Sequence, residues 1–218
     1  NNIFFILFFF CNTVYGESFY EEFSIKVSGI KIGKLVWKMK IDEAGYSNDL
    51  SLKSEGLLSS IYKFEGEYFS EGLVLKNKLK PYRYSHIWKT NKANKNMELK
   101  FHNDMLNSLN QKPSEIEKLR INIFNIKHIK DPLSSFQEII MGETSSLVVD
   151  GRRLYTMNAE FNEKNNETVI EISNYYNLWA DHKRRKFEKI TFEKKDDNLL
   201  PQNINIYFDG RIFKLEKN

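Results

Sequence analysis

The sequence predicts a mainly β protein, an antiparallel meander interrupted by one short helix. Three observations carry that prediction. Apolar residues recur with a period of two along most of the chain, tight-turn dipeptides separate the runs, and one segment breaks the alternation with helix punctuation of its own. The 218 residues include 17 Phe, 11 Tyr and 3 Trp, side chains that suit a pleated, half-buried surface.

Phe23, Ile25 and Val27 alternate with Ser24, Lys26 and Ser28. After a turn across Gly29 to Gly33, Leu35, Trp37, Met39 and Ile41 alternate with Lys34, Val36, Lys38 and Lys40, which makes a half-buried hairpin. A turn at Gly45 leads to Tyr46, Leu50 and Leu52 on one face. Further on, Tyr82, Tyr84, His86 and Trp88 are expected to point one way and Arg83, Ser85 and Lys89 the other. Asn91 to Asn96 reads as the turn into Met97, Leu99 and Phe101. Asp150-Gly151, between Leu147-Val148-Val149 and Leu154-Tyr155, is the strongest hairpin signal, because both residues tolerate the positive φ of a primed turn. Asp209-Gly210 joins Ile204, Ile206 and Phe208 to a closing strand of Phe213 and Leu215 in the same way.

The helix is predicted from Asp131-Pro132, an N-cap followed by proline at the first helical position. Leu133, Phe136 and Ile140 form its apolar stripe, and Gly142 closes it. Such a helix must lie on the sheet or inside its curve. As a cap alone, Asp131 would contribute about 1 kcal/mol. The stretch from Ser114 to Ile129 is ambiguous: Ser114 and Glu117 make a capping box, while Leu119, Ile121 and Ile123 alternate, which together suggest a helix giving way to a strand.

The first sixteen residues follow a different logic. An apolar run from Ile3 to Phe10, then Val14-Tyr15-Gly16 before the polar Glu17, has the order of a secretory signal peptide cut after Gly16. Residues 1–16 are therefore expected to be a signal peptide and 17–218 a single β-rich domain, with the product in the bacterial periplasm. Neither Met nor a basic segment precedes Asn1, so the natural chain is expected to begin further upstream. A membrane anchor would need about 20 apolar residues, and bulky Phe8, Phe9 and Phe10 stand where a lipid-attachment signal at Cys11 would want small ones. No membrane span is expected to remain after cleavage. Cys11 would leave with the signal, and stability would then rest on burial without a disulfide.

Lys and Arg total 33 against 29 Asp and Glu, a net charge of +4 spread evenly along the chain. That argues against nucleic-acid binding, which would gather basic residues on one face. The densest run, His182-Lys183-Arg184-Arg185-Lys186, reads as a solvated turn or strand edge, with anionic lipid headgroups as the alternative contact.

Several motifs in order point to a family. Gly29-Ile30-Lys31-Ile32-Gly33, Glu55-Gly56-Leu57-Leu58, Ser70-Glu71-Gly72, Pro81-Tyr82-Arg83-Tyr84, Asp131-Pro132-Leu133-Ser134-Ser135, Asp150-Gly151-Arg152-Arg153-Leu154-Tyr155 and Leu199-Leu200-Pro201 together resemble a bacterial exported family catalogued as domain of unknown function 3108. The resemblance implies an envelope location and a curved antiparallel sheet similar to lipoprotein-carrier folds: an open half-barrel with a helix near its mouth. It supplies no accepted activity and no catalytic residues. The stretch from Asn107 to Lys127 matches none of its motifs.

A search for reactive constellations yields none. There is no Gly-x-Ser-x-Gly, His-Glu-x-x-His or glycine-rich phosphate loop, and His86, His102, His128 and His182 lack metal-ligand spacing. Glu21-Glu22 and Asp196-Asp197 would point to opposite faces of a strand. Asn166-Glu167-Thr168 reads as a turn. No metal, no cofactor and no catalytic activity are expected. A strongly curved sheet has a concave face that one short helix is not expected to cover fully, and uncovered apolar surface calls for a ligand, a partner or a collapsed core. The first reading is a periplasmic carrier of a lipid-like or apolar ligand, lined by Trp37, Tyr82, Tyr84, Trp88, Phe136 and Ile140. Arg153 joins this set if it anchors an acidic head instead of pairing with a carboxylate. The second reading is an envelope module that binds another protein through a sheet edge, and an enzyme comes third.

Overall fold

The computed structural model describes residues 16–56, 59, 63–179, 186–194 and 199–218. The apolar run Ile3 to Phe10, Cys11, Leu57-Leu58, His182 to Arg185 and Asp196-Asp197 lie outside the described residues. Among the described residues fourteen strands form one sheet: β1 (Glu17–Val27), β2 (Ile30–Ile41), β3 (Tyr46–Ser54), β4 (Phe64–Leu75), β5 (Lys78–Thr90), β6 (Asn94–His102), β7 (Met105–Lys112), β8 (Ile129–Lys130), β9 (Ser145–Val149), β10 (Arg153–Asn162), β11 (Glu167–Asn177), β12 (Phe187–Glu193), β13 (Asn203–Phe208) and β14 (Arg211–Lys217). Their order, β7-β6-β5-β4-β3-β2-β1-β14-β13-β12-β11-β10-β9-β8, is a meander closed on itself through β1 and β14. All pairs are antiparallel except β8 with β9. The period-two expectation holds along β2, where Leu35, Trp37 and Met39 are buried and Lys34, Val36, Lys38 and Lys40 alternate with them at more exposed positions.

Four hairpins turn on two residues that both have positive φ: Ser28-Gly29, Lys76-Asn77, Asn103-Asp104 and Asp209-Gly210. Positive φ at both positions matches the twist of the flanking strands. The first of these turns is shorter than expected: Ile30 to Gly33 belong to β2, where Ile30 already pairs with Val27. The turn after β5 is shorter too, since Asn94, Lys95 and Asn96 are already strand. The Asp150-Gly151 hairpin forms, with Leu154 opposite Val149, but by different turn chemistry. Only Gly151 has positive φ, and the Asp150 carboxylate holds the turn by accepting from the Arg152 and Arg153 backbone N–H groups at 2.8 and 2.7 Å.

The sheet curls until its edges touch. Met105 of β7 bridges to Lys127, and the His128 N–H donates to the Asp104 carbonyl at 2.8 Å. Between β8 and β9 runs the helix α1 (Pro132–Ile140). Successive residues of a strand face opposite sides, and Val148 and Val149 of β9 are both fully buried, in different apolar clusters. One cluster joins Phe23, Trp37, Phe136, Tyr155 and Phe192 around α1, and the other joins Tyr84, Leu99, Phe101, Ile123, Ile129 and Trp179. The β8-α1-β9 unit is thus turned inward and fills the curve. Among the described residues the concave face is covered more completely than the sequence led us to expect.

An enclosed helix must satisfy its polar side chains inside the protein. Eight of its residues, from Leu133 to Ile140, are buried. Ser134 meets the Tyr46 hydroxyl at 2.6 Å and Ser70 at 2.9 Å, and Ser135 accepts from Ser146 at 2.9 Å. Gln137 donates to the Leu199 carbonyl, while Glu138 pairs with Lys130 and accepts from the Leu79 N–H at 2.7 Å. The Leu133, Phe136 and Ile140 stripe is buried as predicted; the opposite face is buried too, against the barrel wall.

The 114–129 stretch forms no α-helix. It is an irregular strap containing a 3₁₀ turn at Ile123–Asn125, and it ends in the two-residue β8. Leu119, Ile121, Ile123 and Ile126 pack on the second apolar cluster, and the Arg120 N–H donates to the Leu178 carbonyl. Tertiary burial of alternate residues outweighs the local capping signal.

Candidate ligand-binding cleft

Register arranges the inner wall in cross-strand rows. One row runs Trp37, Leu50, Tyr68, His86, Met97, Gln111 from β2 to β7. The next runs Met39, Asn48, Ser70, Tyr84, Leu99, Leu109. Near β2 both rows are buried under α1. Toward β7 the first row leaves the helix behind and becomes more polar.

There a cleft of about 700 Å³ opens between β5, β6, β7, the strap and Trp179. His86, Met97, Gln111 and Leu109 supply inward positions, Ser114 and Glu115 come from the strap, and the outward-facing positions Arg83, Ser85, Ile87, Asn96, Glu98, Asn110 and Lys112 make up the other half of the sheet's contribution and more. The volume falls within the range typical of small-molecule sites. A second, smaller depression of about 320 Å³ lies over β3 to β5 around Asp49, Glu67 and Ser85.

Two contacts fix the cleft's floor. The Trp179 indole N–H donates to the Gly151 carbonyl at 3.4 Å. Gly151 sits so close to Met97 that a Cβ there would lie 1.4 Å from its Sδ, and its φ is +85°. Only glycine meets both the steric and the backbone requirement. Trp179, the Gly151 backbone and Met97 therefore stack in sequence.

The polar groups around the floor are kept uncharged or paired. Burial, aided by the nearby Arg152 guanidinium, pushes His86 down to about 4, so its imidazole is neutral near pH 7. Its Nδ1 lies 3.5 Å from the Tyr84 hydroxyl, and its ring packs against Tyr68 and Tyr84. Burial, with a smaller contribution from Asp150, pushes the Tyr68 hydroxyl up to about 12. Glu115 lies 4.0 Å from Arg152. The Gln111 Nε2 is buried without a hydrogen-bond partner.

The seven candidates drawn from the sequence are dispersed. Trp37 and Phe136 stack at 5.8 Å, and Phe136 meets Phe192 edge-on, within the core around α1. Ile140 is buried in the same cluster and Tyr84 in the other. Trp88 is half-buried and stacks on Phe64 at 5.6 Å, and Arg153 lies 5.5 Å over the Tyr175 ring with its Nε unpartnered. Tyr82 requires a correction, because it does not share a face with Tyr84. Glu71 pairs with Arg83 but Gly72 with Pro81, so Tyr82 is the extra residue of a bulge. It is 47% exposed on the outer surface.

None of the seven lines the cleft, whose inner side is built by His86, Met97, Leu109, Gln111 and Trp179. His86 and Met97 stood in alternating runs of the sequence, Trp179, Leu109 and Gln111 were not singled out there, and the convergence of the five depends on register across three strands. Among the described residues no three His, Cys, Asp or Glu side chains converge as a metal site would need.

Fold and cleft together define a barrel-like antiparallel β protein that encloses its own helix and keeps a ligand-sized recess beside the seam of its sheet. The chain belongs to the family described as protein of unknown function (DUF3108), whose model matches residues 22–136, more than half of its length. That match runs from β1 through the Asp131 cap and into α1. In fold the chain is similar to a crystal structure of a β-barrel-like protein of domain of unknown function DUF1849 from Brucella abortus, with a TM-score of 0.50 and 10% sequence identity over 94% of this chain and 96% of that one. No curated protein matches.

Proposed function

We propose that this chain is a non-catalytic binding protein, exported to the bacterial periplasm, that carries a lipid-like or otherwise apolar ligand. The observation that carries this reading is the 700 Å³ cleft, with Met97, Leu109 and Trp179 among its walls. A recess of that size, with Met97, Leu109 and Trp179 on its inner side and polar and charged side chains over the rest of its lining, suits a small amphipathic molecule. The barrel-like fold is compatible with a binding role, and the signal-like order from Ile3 to Gly16 supports export. The location differs from the one the sequence suggested: the ligand lies beside the helix-filled core, under the strap.

Protein purified without detergent should release lipid or fatty species in native mass spectrometry, and N-phenyl-1-naphthylamine should gain fluorescence on binding. Trp179→Leu should weaken dye binding severalfold when measured well below its unfolding midpoint, which the loss of a buried indole also lowers. A protein that carries no such species and leaves the dye unbound would end the carrier reading. The alternative would then be a module that binds an envelope protein through a sheet edge.

A further inference from the structure

The strap has an outer side that packing inside the barrel does not account for. Ile116, next to the cleft-lining Glu115, is 99% exposed, although isoleucine is among the side chains most often buried. Tyr176 on β11 is 53% exposed. It lies opposite Leu154 in register and shares that residue's face, and Leu154 belongs to the apolar cluster on which Leu119 and Ile121 of the strap pack. The Arg120 N–H donates to the Leu178 carbonyl, so the strap runs alongside the end of β11, past Tyr176, to the cleft wall at Trp179.

Charge on this side is not balanced. Arg83 and Lys100 are matched by Glu71 and Glu98, and Arg152 by Glu115. What is left along the lip, among the described residues, is Lys112, Lys118 and Arg120, all exposed, against Glu117. Such a surplus of cations is attracted to headgroup phosphates. An aliphatic side chain and an aromatic one with a polar tip suit the layer just beneath. The cleft opens on the same side, and a bilayer is where lipid-like ligands are held.

We propose that the strap side of the molecule docks on an anionic lipid bilayer. Ile116 and Tyr176 enter the headgroup layer, Lys112, Lys118 and Arg120 meet lipid phosphates, and the mouth of the cleft faces the membrane. This goes beyond the carrier reading by naming where a ligand is taken up or delivered, and docking does not require the cleft to be filled.

Flotation of protein purified without detergent, with vesicles of phosphatidylcholine alone or mixed with phosphatidylglycerol, tests the docking. At low salt the anionic vesicles should be bound roughly tenfold more tightly than the neutral ones, and high salt should weaken that binding severalfold. Lys118→Glu with Arg120→Glu should remove most of the preference, and Ile116→Asp should lower binding severalfold. Lys40→Glu with Lys164→Glu makes the same change of net charge at exposed positions elsewhere and should stay within about twofold of wild type. All preparations share one N-terminus, so any pull of the Ile3 to Phe10 run on lipid is common to them, and thermal melts confirm that each variant is folded. Equal binding to both vesicles, no binding, or equal losses in the two charge-reversal pairs overturns the docking. Dye binding that persists while vesicle binding fails leaves the carrier reading standing, and vesicle binding without dye binding leaves the docking standing alone.

Discussion

Asp131 shows how burial changes the weight of a familiar residue. Its Oδ1 accepts from the Leu133 and Ser134 N–H groups at 3.0 Å each, as the Asp-Pro pair announced. Its Oδ2 accepts from the Ser70 hydroxyl at 3.0 Å and from the Ser134 hydroxyl, in a site with no solvent exposure. Burial raises its carboxyl above the ordinary range, and these hydrogen bonds hold it back. Asp131→Ala would take a charged acceptor from two buried hydroxyls, which keep each other and Tyr46 as neighbours, as well as remove the cap. The expected cost is therefore about 3 kcal/mol, not the roughly 1 kcal/mol of an exposed cap. Asp131→Asn should lose less, since an amide oxygen still caps the helix. Urea unfolding of the three proteins decides the matter, and a loss of only about 1 kcal/mol in the alanine variant would show that Ser70 and Ser134 find other partners. The capping role was legible because it is local, whereas Ser70 is 61 residues away.

At the level of elements, β5 shows why alternation is a good guide to strands and a poor guide to faces. Leu79 and Tyr84 are both buried although five residues apart, an odd spacing that only a bulge between them allows. One extra residue reverses the facing of everything before it, so Tyr82 stands outside and Tyr84 inside. Tyr84→Ala should cost about 3–5 kcal/mol, as for a large aromatic removed from a core, while Tyr82→Ala should stay within about 0.5 kcal/mol. Equilibrium denaturation measures both. Comparable losses at the two positions would contradict the bulge. Nothing in Pro81-Tyr82-Arg83-Tyr84 reads as a slip in phase, because pairing with β4 alone reveals it.

For the molecule as a whole, the neutral His86 makes stability depend on pH. Its folded pKa of about 4 lies below the unfolded value near 6.5, so the unfolded chain binds more protons between those limits. The contribution is fully present above pH 6.5 and is lost as pH falls toward 4, a change on the order of 2–3 kcal/mol. Asp131 and Asp150, both raised chiefly by burial, act with the opposite sign. Their folded forms hold protons more tightly, so they favour folding as pH falls toward the ordinary carboxylate range. Thermal midpoints should therefore fall from pH 7 to pH 4.5 in the wild type and fall less in His86→Gln. Parallel curves would show that His86 takes up its proton without disturbing the fold.

The sequence by itself determined the mainly β class, the run of hairpins, the capped helix at Asp131-Pro132 and the family. Each of these is written in local pattern: alternation of two, turn dipeptides, and a cap with proline behind it. Only the tertiary structure decided that the sheet closes on itself through β1 and β14, that β9 is buried on both faces and that the helix is enclosed by the wall. The cleft was beyond sequence reasoning for the same reason. His86, Met97 and Gln111 become neighbours through strand register, Gly151 and Trp179 reach them from the far end of the sheet, and long-range pairing of that kind leaves no periodic trace in the chain.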